Sequence, residues 1–456
     1  MTQRAQSITR VDGTKTSTFE RVTRQPLRLL TKFGGAELTE RFGLRRPVGR
    51  ALHDVAKVAA RAMASASARG KAEVGAPARV RNAPDASRFD LRPTEEQEML
   101  RKTARRFAED ILRPAAHDAD SATAAPTALL SRAQELTLAA LVVPAELGGV
   151  AETRSIVTST LIIEELARGD LGLALAILAP LGVVHALVDW GTRSQQTQWL
   201  PRFMGDTFAG GAVAVLESQP LFDPNRPRTG AVRANDGGWR LHGEKALVPL
   251  AGLAEVLLVA ADIRGVGPRL FLVERNTEGL TIEPEPAMGL RAGGVGRVRL
   301  EGVHVGRDAL LGGEEGSLRG FDYASIVDRA RIAWGAMAVG GAQAVLEYVM
   351  AYCSERRAFG EPITNRQAVA FLIADMAIEI EGMRLMVQRS ASLADRGVAV
   401  SREASMVRAH CAAKAMKVGT DGVQLLGGHG FVKDHPVERW YRDLRSIGVM
   451  EGALSA

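Results

Sequence analysis

The residues from 322 to 354 carry a helical repeat that is apolar almost all the way round. A helix with one apolar stripe can lie on a surface, whereas one that is apolar on every side has to be enclosed by other elements. Two more long helical patterns follow at 366–396 and 402–426, so the three can bury one another, and the spacing predicts a bundle. Upstream the texture differs. Between about 210 and 311 the chain runs in short β-rich segments, "EVLLVAAD", "RLFLVE" and "RVRLEGVHV", parted by Gly and Pro signals and by an "NDGG" turn at 235–238. Before that, Thr94 and Gln97 form a capping-box pair. Leu100, Ala104, Phe107 and Ile111 then recur at helical spacing, with Pro114 expected to stop the run, and 128–143, 155–169 and 172–190 are further helical segments. The expectation is a mainly α fold with an inserted β domain: an extension at 1–88, an N-terminal helical domain at 89–208, a β-barrel-like middle domain at 209–315 and a C-terminal four-helix bundle at 316–456.

No window approaches the roughly 20 uninterrupted apolar residues of a membrane span, and no apolar run follows Arg4 and Arg10 as in a secretion signal. Cys353 and Cys411 form no C-x-x-C pair, which suits a reducing compartment, so a cytoplasmic location is expected. Residues 1–85 hold 17 Lys or Arg against 7 Asp or Glu, a net of +10 where the whole chain carries +6, so the basicity belongs to this arm. Within it Val48, Leu52, Val55 and Val58 share a helical stripe with Arg50, Lys57 and Arg61 beside it, and the Gly, Ala and Pro-rich stretch from 70 to 90 reads as a linker. Such an arm suits a loosely docked extension, a peripheral contact with an anionic membrane surface or nucleic acid, or a cleaved transit peptide.

Several chemistries lack their residues. There is no G-x-G-x-x-G after a strand, since "GGHGF" at 427–431 and "GGVGR" at 293–297 break the spacing; nor is there a P-loop, an H-E-x-x-H or a G-x-S-x-G. The eight histidines show no ligand spacing, and no metal site is expected.

Seven ordered strings point elsewhere: "VPAELGG" at 143–149, "EELARGD" at 164–170, "GEK" at 243–245, "MGLR" at 288–291, "RRAFGEPITNRQ" at 356–367, "QLLGGHGF" at 424–431 and "VERWYRD" at 437–443. Over residues 89–456 the sequence resembles the acyl-CoA dehydrogenase superfamily. The resemblance implies an FAD-dependent oxidoreductase of fatty acid metabolism that takes an acyl-CoA to the trans-2-enoyl-CoA and passes electrons to an electron-transfer flavoprotein or another acceptor. It further implies a homodimer or homotetramer in which part of each FAD is held by the neighbouring subunit. By the same resemblance Arg356 lies on the pyrophosphate, where a planar, always charged fork suits a double phosphate, with Phe359 and Gln367 near the flavin. Gln424, Gly427 and Gly428 correspond to backbone passing close to the adenine-nucleotide half.

In many relatives the base is a glutamate 27 residues after that glutamine, followed by glycine, and here the count lands on Glu451 and Gly452. A second lineage carries its base just before the arginine that is here Arg331, but that position is Ala330, which cannot take a proton. Glu451 is therefore the expected base, removing the α-proton while hydride passes from the β-carbon to flavin N5, with Asp328, Arg331, Met450 and Gly452 lining the substrate region. The three-residue spacing of Asp328 and Arg331 also fits a plain ion pair within the helix. The family's "TEPxAGSD" string reads "LESQPLFD" at 216–223 and its "WIT" reads "LVP" at 247–249, so Leu216, Leu221 and Phe222 make that region more apolar. The alternative expectation is a non-catalytic member of the same fold that binds DNA or membrane through its basic arm.

Overall fold

Thr94 opens α1 (Glu95–Phe107) as its spacing predicts: its hydroxyl accepts from the Gln97 N–H at 3.2 Å, and Gln97 Oε1 accepts from the Thr94 N–H at 2.9 Å. The computed structural model describes residues 92–456 apart from Arg319, so the basic arm and its amphipathic stripe lie outside the described residues. Pro114 does not end the helical run. The backbone widens into a π-helical turn at Ala108–Leu112 and continues as α2 (Arg113–Ala122), so the proline follows a loosened turn where its missing N–H and its ring are tolerated. The pattern at 128–143 is helical only over α3 (Thr127–Gln134), after which the chain breaks into turns around Thr137, at φ 50.

α4 (Ile156–Gly169), α5 (Leu171–Trp190) and α6 (Arg193–Met204) complete this helical region. Asp170 caps α5 by accepting from the Leu173 N–H at 2.9 Å. With a hydropathy of 2.3, α5 is long and apolar enough to cross a membrane, which corrects the expectation that no window comes close. The share of that window buried inside the protein is 89%, as befits a core helix.

The middle region is one sheet of β1 (Gly211–Ala214), β2 (Gly230–Arg233), β3 (Trp239–Val248), β4 (Val256–Ile263), β5 (Gly267–Glu274), β6 (Leu280–Pro284) and β7 (Gly296–Val305), in the order β1-β4-β2-β3-β7-β6 with β5 also on β4. β4 is parallel to β1 and β2 and buried through its first six residues, which is why its sequence is a continuous apolar run. The "NDGG" stretch turns β2 into its antiparallel partner β3.

A short α7 (Gly313–Leu318) leads to α8 (Tyr323–Glu355), the helix expected at 322–354, which Asp322 caps through the Ser325 N–H at 3.1 Å. Around α8 pack α4, α9 (Gln367–Asp395), α10 (Ser401–Leu426) and α11 (Val437–Ser446), with a small β8–β9 hairpin (Arg357–Ala358, Glu361–Pro362) between α8 and α9. A Cβ on Gly340 would fall 2.1 Å from the Glu164 carbonyl oxygen, so only glycine lets α4 and α8 come this close.

A buried charge network fixes α11, the element that leads into the candidate site. Arg439 Nε donates to Asp170 at 3.0 Å, Arg442 donates to both oxygens of Asp120 at 3.0 and 2.9 Å, and Asp443 accepts from the Leu290 N–H at 2.6 Å. Burial, and then the neighbouring Asp170 carboxylate, hold the Asp443 carboxyl well above the ordinary carboxylate range. A carboxyl raised in this way contributes stability that is fully present below the ordinary range and is lost as pH rises through the raised one. Asp443→Asn keeps an acceptor for Leu290 without the titration. Followed by thermal melts from about pH 5 to about pH 8, the variant is expected to lose less stability than the wild type, by on the order of 1–3 kcal/mol.

Candidate active site

After α11, residues 450–456 run as a strap beside β1 at the edge of the sheet. Trp334 Nε1, from α8, donates to the Gly452 carbonyl at 2.8 Å, and Ala453 forms an antiparallel bridge with Val213 of β1. Gly452 has φ +66, and a Cβ there would sit 2.5 Å from Val215 Cγ2, so the residue after Glu451 has to be glycine on both counts. Met450 is buried in front of it.

This strap carries the Glu451 side chain into the protein, where it is only 5% exposed. Arg331 Nη2 donates to Oε1 at 3.0 Å and its Nε reaches Oε2 at 3.4 Å, an approach of both prongs of the fork. Arg408 Nε, from α10, stands 2.6 Å from the same Oε1. That is an ion-pair distance, although this N–H is not aligned as a hydrogen bond. A carboxylate withdrawn from water needs such compensation, and two guanidiniums supply it. Arg331 also donates to Ser405 at 3.2 Å. The intrahelical pair with Asp328 is not formed: Asp328 accepts instead from the Ser401 hydroxyl, and burial raises its carboxyl above the ordinary range against the pull of Ser401 and Arg331. Tyr323, at the start of α8, buries a hydroxyl with no hydrogen-bond partner, and its ionisation is pushed up by burial and then by Glu217, Glu451 and Asp223.

Behind the strap is a buried ion pair. Lys245 Nζ donates to Glu217 Oε1 at 2.7 Å and to the Val215 carbonyl at 3.2 Å, while Glu217 also accepts from the Thr229 N–H at 2.9 Å and hydroxyl at 2.7 Å. Burial pulls Lys245 down to about 8, with Glu217 opposing the shift. Leu216 is buried beside this pair and Phe222 partly so, but Leu221 is fully exposed and adds nothing to an apolar wall.

Asp328, Arg331, Met450, Glu451 and Gly452 thus come together near the start of α8. The other six candidates gather elsewhere. Arg356 closes α8, Gln367 opens α9, and Gln424, Gly427 and Gly428 end α10, with the Tyr352 hydroxyl 2.7 Å from His429 Nδ1 tying the last of these to α8. Phe359 is 92% exposed. At 1.5 Å per residue, Arg356 lies about 37 Å along α8 from Arg331. Arg408, Tyr323 and Lys245 were not singled out from the sequence. Only "GEK" marked Lys245, and no spacing links Arg408 to Glu451.

Comparisons with known proteins bear on the chain as a whole. The acyl-CoA dehydrogenase N-terminal, middle and C-terminal domains match residues 94–206, 212–303 and 319–454. The chain is 35% identical over 367 residues to the mitochondrial short-chain specific acyl-CoA dehydrogenase of Bos taurus, covering 78% of this chain and 87% of that one. It is 33% identical over 368 residues to an acyl-CoA dehydrogenase of Bacillus subtilis, covering 79% and 95%. The structure of butyryl-CoA dehydrogenase from Megasphaera elsdenii superimposes with a TM-score of 0.73 at 28% identity, covering 80% of this chain and 96% of that one. The three domain matches in order, with relatives above 30% identity along their length, make this chain a member of the acyl-CoA dehydrogenase family.

Proposed function

We propose that the protein catalyses FAD-dependent α,β-dehydrogenation of an acyl-CoA thioester, with Glu451 as the base. The observation that carries this reading is the Glu451 carboxylate, withdrawn from water on a strap whose following glycine is sterically required, and matched by arginines on α8 and α10. The carboxylate oxygen takes the α-proton as the β-hydrogen leaves with its electron pair and the double bond forms. FAD, when bound, supplies the acceptor for that hydride. Arg331 and Arg408 orient the carboxylate, and the closed strap keeps water from it.

The residues present fit the cofactor. Among the described residues the exposed Arg356 guanidinium has no partner, and a Cβ built on Gly427 or Gly428 would meet no atom within 4 Å, which leaves room for a close approach of the backbone by a phosphate-bearing ligand. The separation of about 37 Å between this end of α8 and the Glu451 end supports a homo-oligomer in which one chain's Arg356 end serves its neighbour's site. Phe371, Ile378 and Leu385, exposed at heptad spacing on α9, give such an assembly an apolar contact face. Electron-transfer flavoprotein or a similar acceptor, and a cytoplasmic location, complete the proposal. Anaerobic titration of the purified protein with acyl-CoAs of graded length tests it: bleaching of the flavin absorbance is expected, and an unchanged spectrum with every chain length would overturn it.

A further inference from the structure

The helical region of residues 94–204 lines a partly open cavity of about 480 Å³ that has no role in the proposed reaction so far, with exposed residues such as Val150 and Glu152 at its rim. It lies within the size range of small-ligand sites. Leu138, Ile162, Leu178 and Leu181 form the apolar half of its lining and Gln97, Thr158 and Ser159 part of the polar half, while Ser455 of the strap contributes from the side of Glu451. Four residues of extended chain span at most about 14 Å, so the cavity wall begins within that reach of the proposed base.

One polar group in this lining is built with unusual constraint. His185, on α5, is only 5% exposed. Its Nδ1 lies 3.0 Å from Arg154 Nη2, and Arg154 is itself paired with Asp189, which also accepts from Arg329 at 2.6 Å. A guanidinium can only donate, so Nδ1 accepts and the ring proton sits on Nε2. Burial, then the Arg154 charge, push His185 down to about 3, so the ring is neutral at physiological pH. Nε2–H has no hydrogen-bond partner among the described residues, in a ring that lines the cavity. The ring is buried, but Nε2 itself is not shut off from solvent, so this donor stands open to whatever occupies the cavity. A carboxylate is a poor candidate, because Glu96 and Glu152 also line this space and the nearest cation, Arg154, is already paired.

We propose that this cavity receives the distal part of the acyl group, and that His185 Nε2–H binds a neutral oxygen carried there. The substrate class is then an acyl-CoA bearing a hydroxyl or carbonyl far from its thioester. The proposal rests on the dehydrogenase reading for the word acyl, but the cavity and its donor can be tested without it.

The first measurement uses full-length holoprotein and compares anaerobic flavin bleaching by dodecanoyl-CoA and 12-hydroxydodecanoyl-CoA, with butyryl-CoA reporting on the dehydrogenation itself. The hydroxylated chain is expected to half-saturate at a concentration about tenfold lower than the plain one. His185→Leu should remove that difference, His185→Gln should keep part of it, and Leu178→Trp, which fills the cavity, should weaken both long chains. The second measurement is calorimetry of dodecane-1,12-diol against dodecanol on the same proteins, where the same preference and the same loss in His185→Leu are expected. Bleaching by butyryl-CoA with no preference in either measurement overturns the proposal. Absence of any bleaching together with a His185-dependent preference for the diol removes the dehydrogenase reading and leaves the cavity assignment standing. Should His185→Leu fail to fold, equal binding of diol and dodecanol by the wild type, or undiminished long-chain binding in Leu178→Trp, is equally decisive against it.

Discussion

Glu451→Gln is expected to leave FAD bound and to slow flavin reduction by acyl-CoA by about 10²–10⁴-fold, the usual contribution of a positioned general base. The substitution keeps the side chain's length and one oxygen for Arg331, so the strap, held by Trp334 and the Val213 bridge, has no reason to leave its seat. It removes only the ability to accept a proton. Stopped-flow absorbance of the flavin under anaerobic conditions measures the loss, and the flavin-to-protein ratio of the variant shows whether the site survives. Bleaching at the wild-type rate would move the base to another residue and end the present assignment.

Lys245→Met is expected to cost about 3–5 kcal/mol of stability, because it strands the Glu217 carboxylate away from water with its main charge partner gone. The Thr229 N–H and hydroxyl remain to Glu217, yet they were already in use and cannot replace the ammonium. The double variant Lys245→Met/Glu217→Leu removes both charges and should recover most of the loss, a coupling that a double-mutant cycle in urea reads directly. A cost for Lys245→Met below about 1 kcal/mol would show that the pair is far better hydrated than its burial indicates.

Much of the fold is legible in local patterns. The helix expected at 322–354 forms at Tyr323–Glu355, and those expected at 366–396 and 402–426 form at Gln367–Asp395 and Ser401–Leu426, because uninterrupted apolar repeats of that length have no other way to be buried. Local rules failed where backbone geometry compensated for them, as in the π turn that carries the chain past Pro114. The apolar stripe of 128–143 outlasted its helix for a similar reason, since Thr137 adopts a left-handed conformation that no periodicity announces. Glu451 is legible only through the family resemblance, which supplies the count from Gln424 and the glycine that follows. Arg408 and Tyr323 are not, because what brings them to Glu451 is the packing of α10 and α8, a property of the tertiary structure with no trace in sequence spacing. The same holds for His185, whose tautomer is fixed by Arg154 from a loop well upstream.

The strap has a mechanical implication. It is stitched to the bundle through Trp334, to the sheet through Val213, and it lies against α5, where a Cβ on Gly182 would stand 3.0 Å from the Ala453 carbonyl oxygen. It acts as a keystone where the bundle, the sheet and α5 meet, and a slip of any one of them drags the acidic group out of alignment. Loosened, partly denatured forms should therefore be inert before they are unfolded, with turnover failing ahead of any loss of helix signal as denaturant is raised.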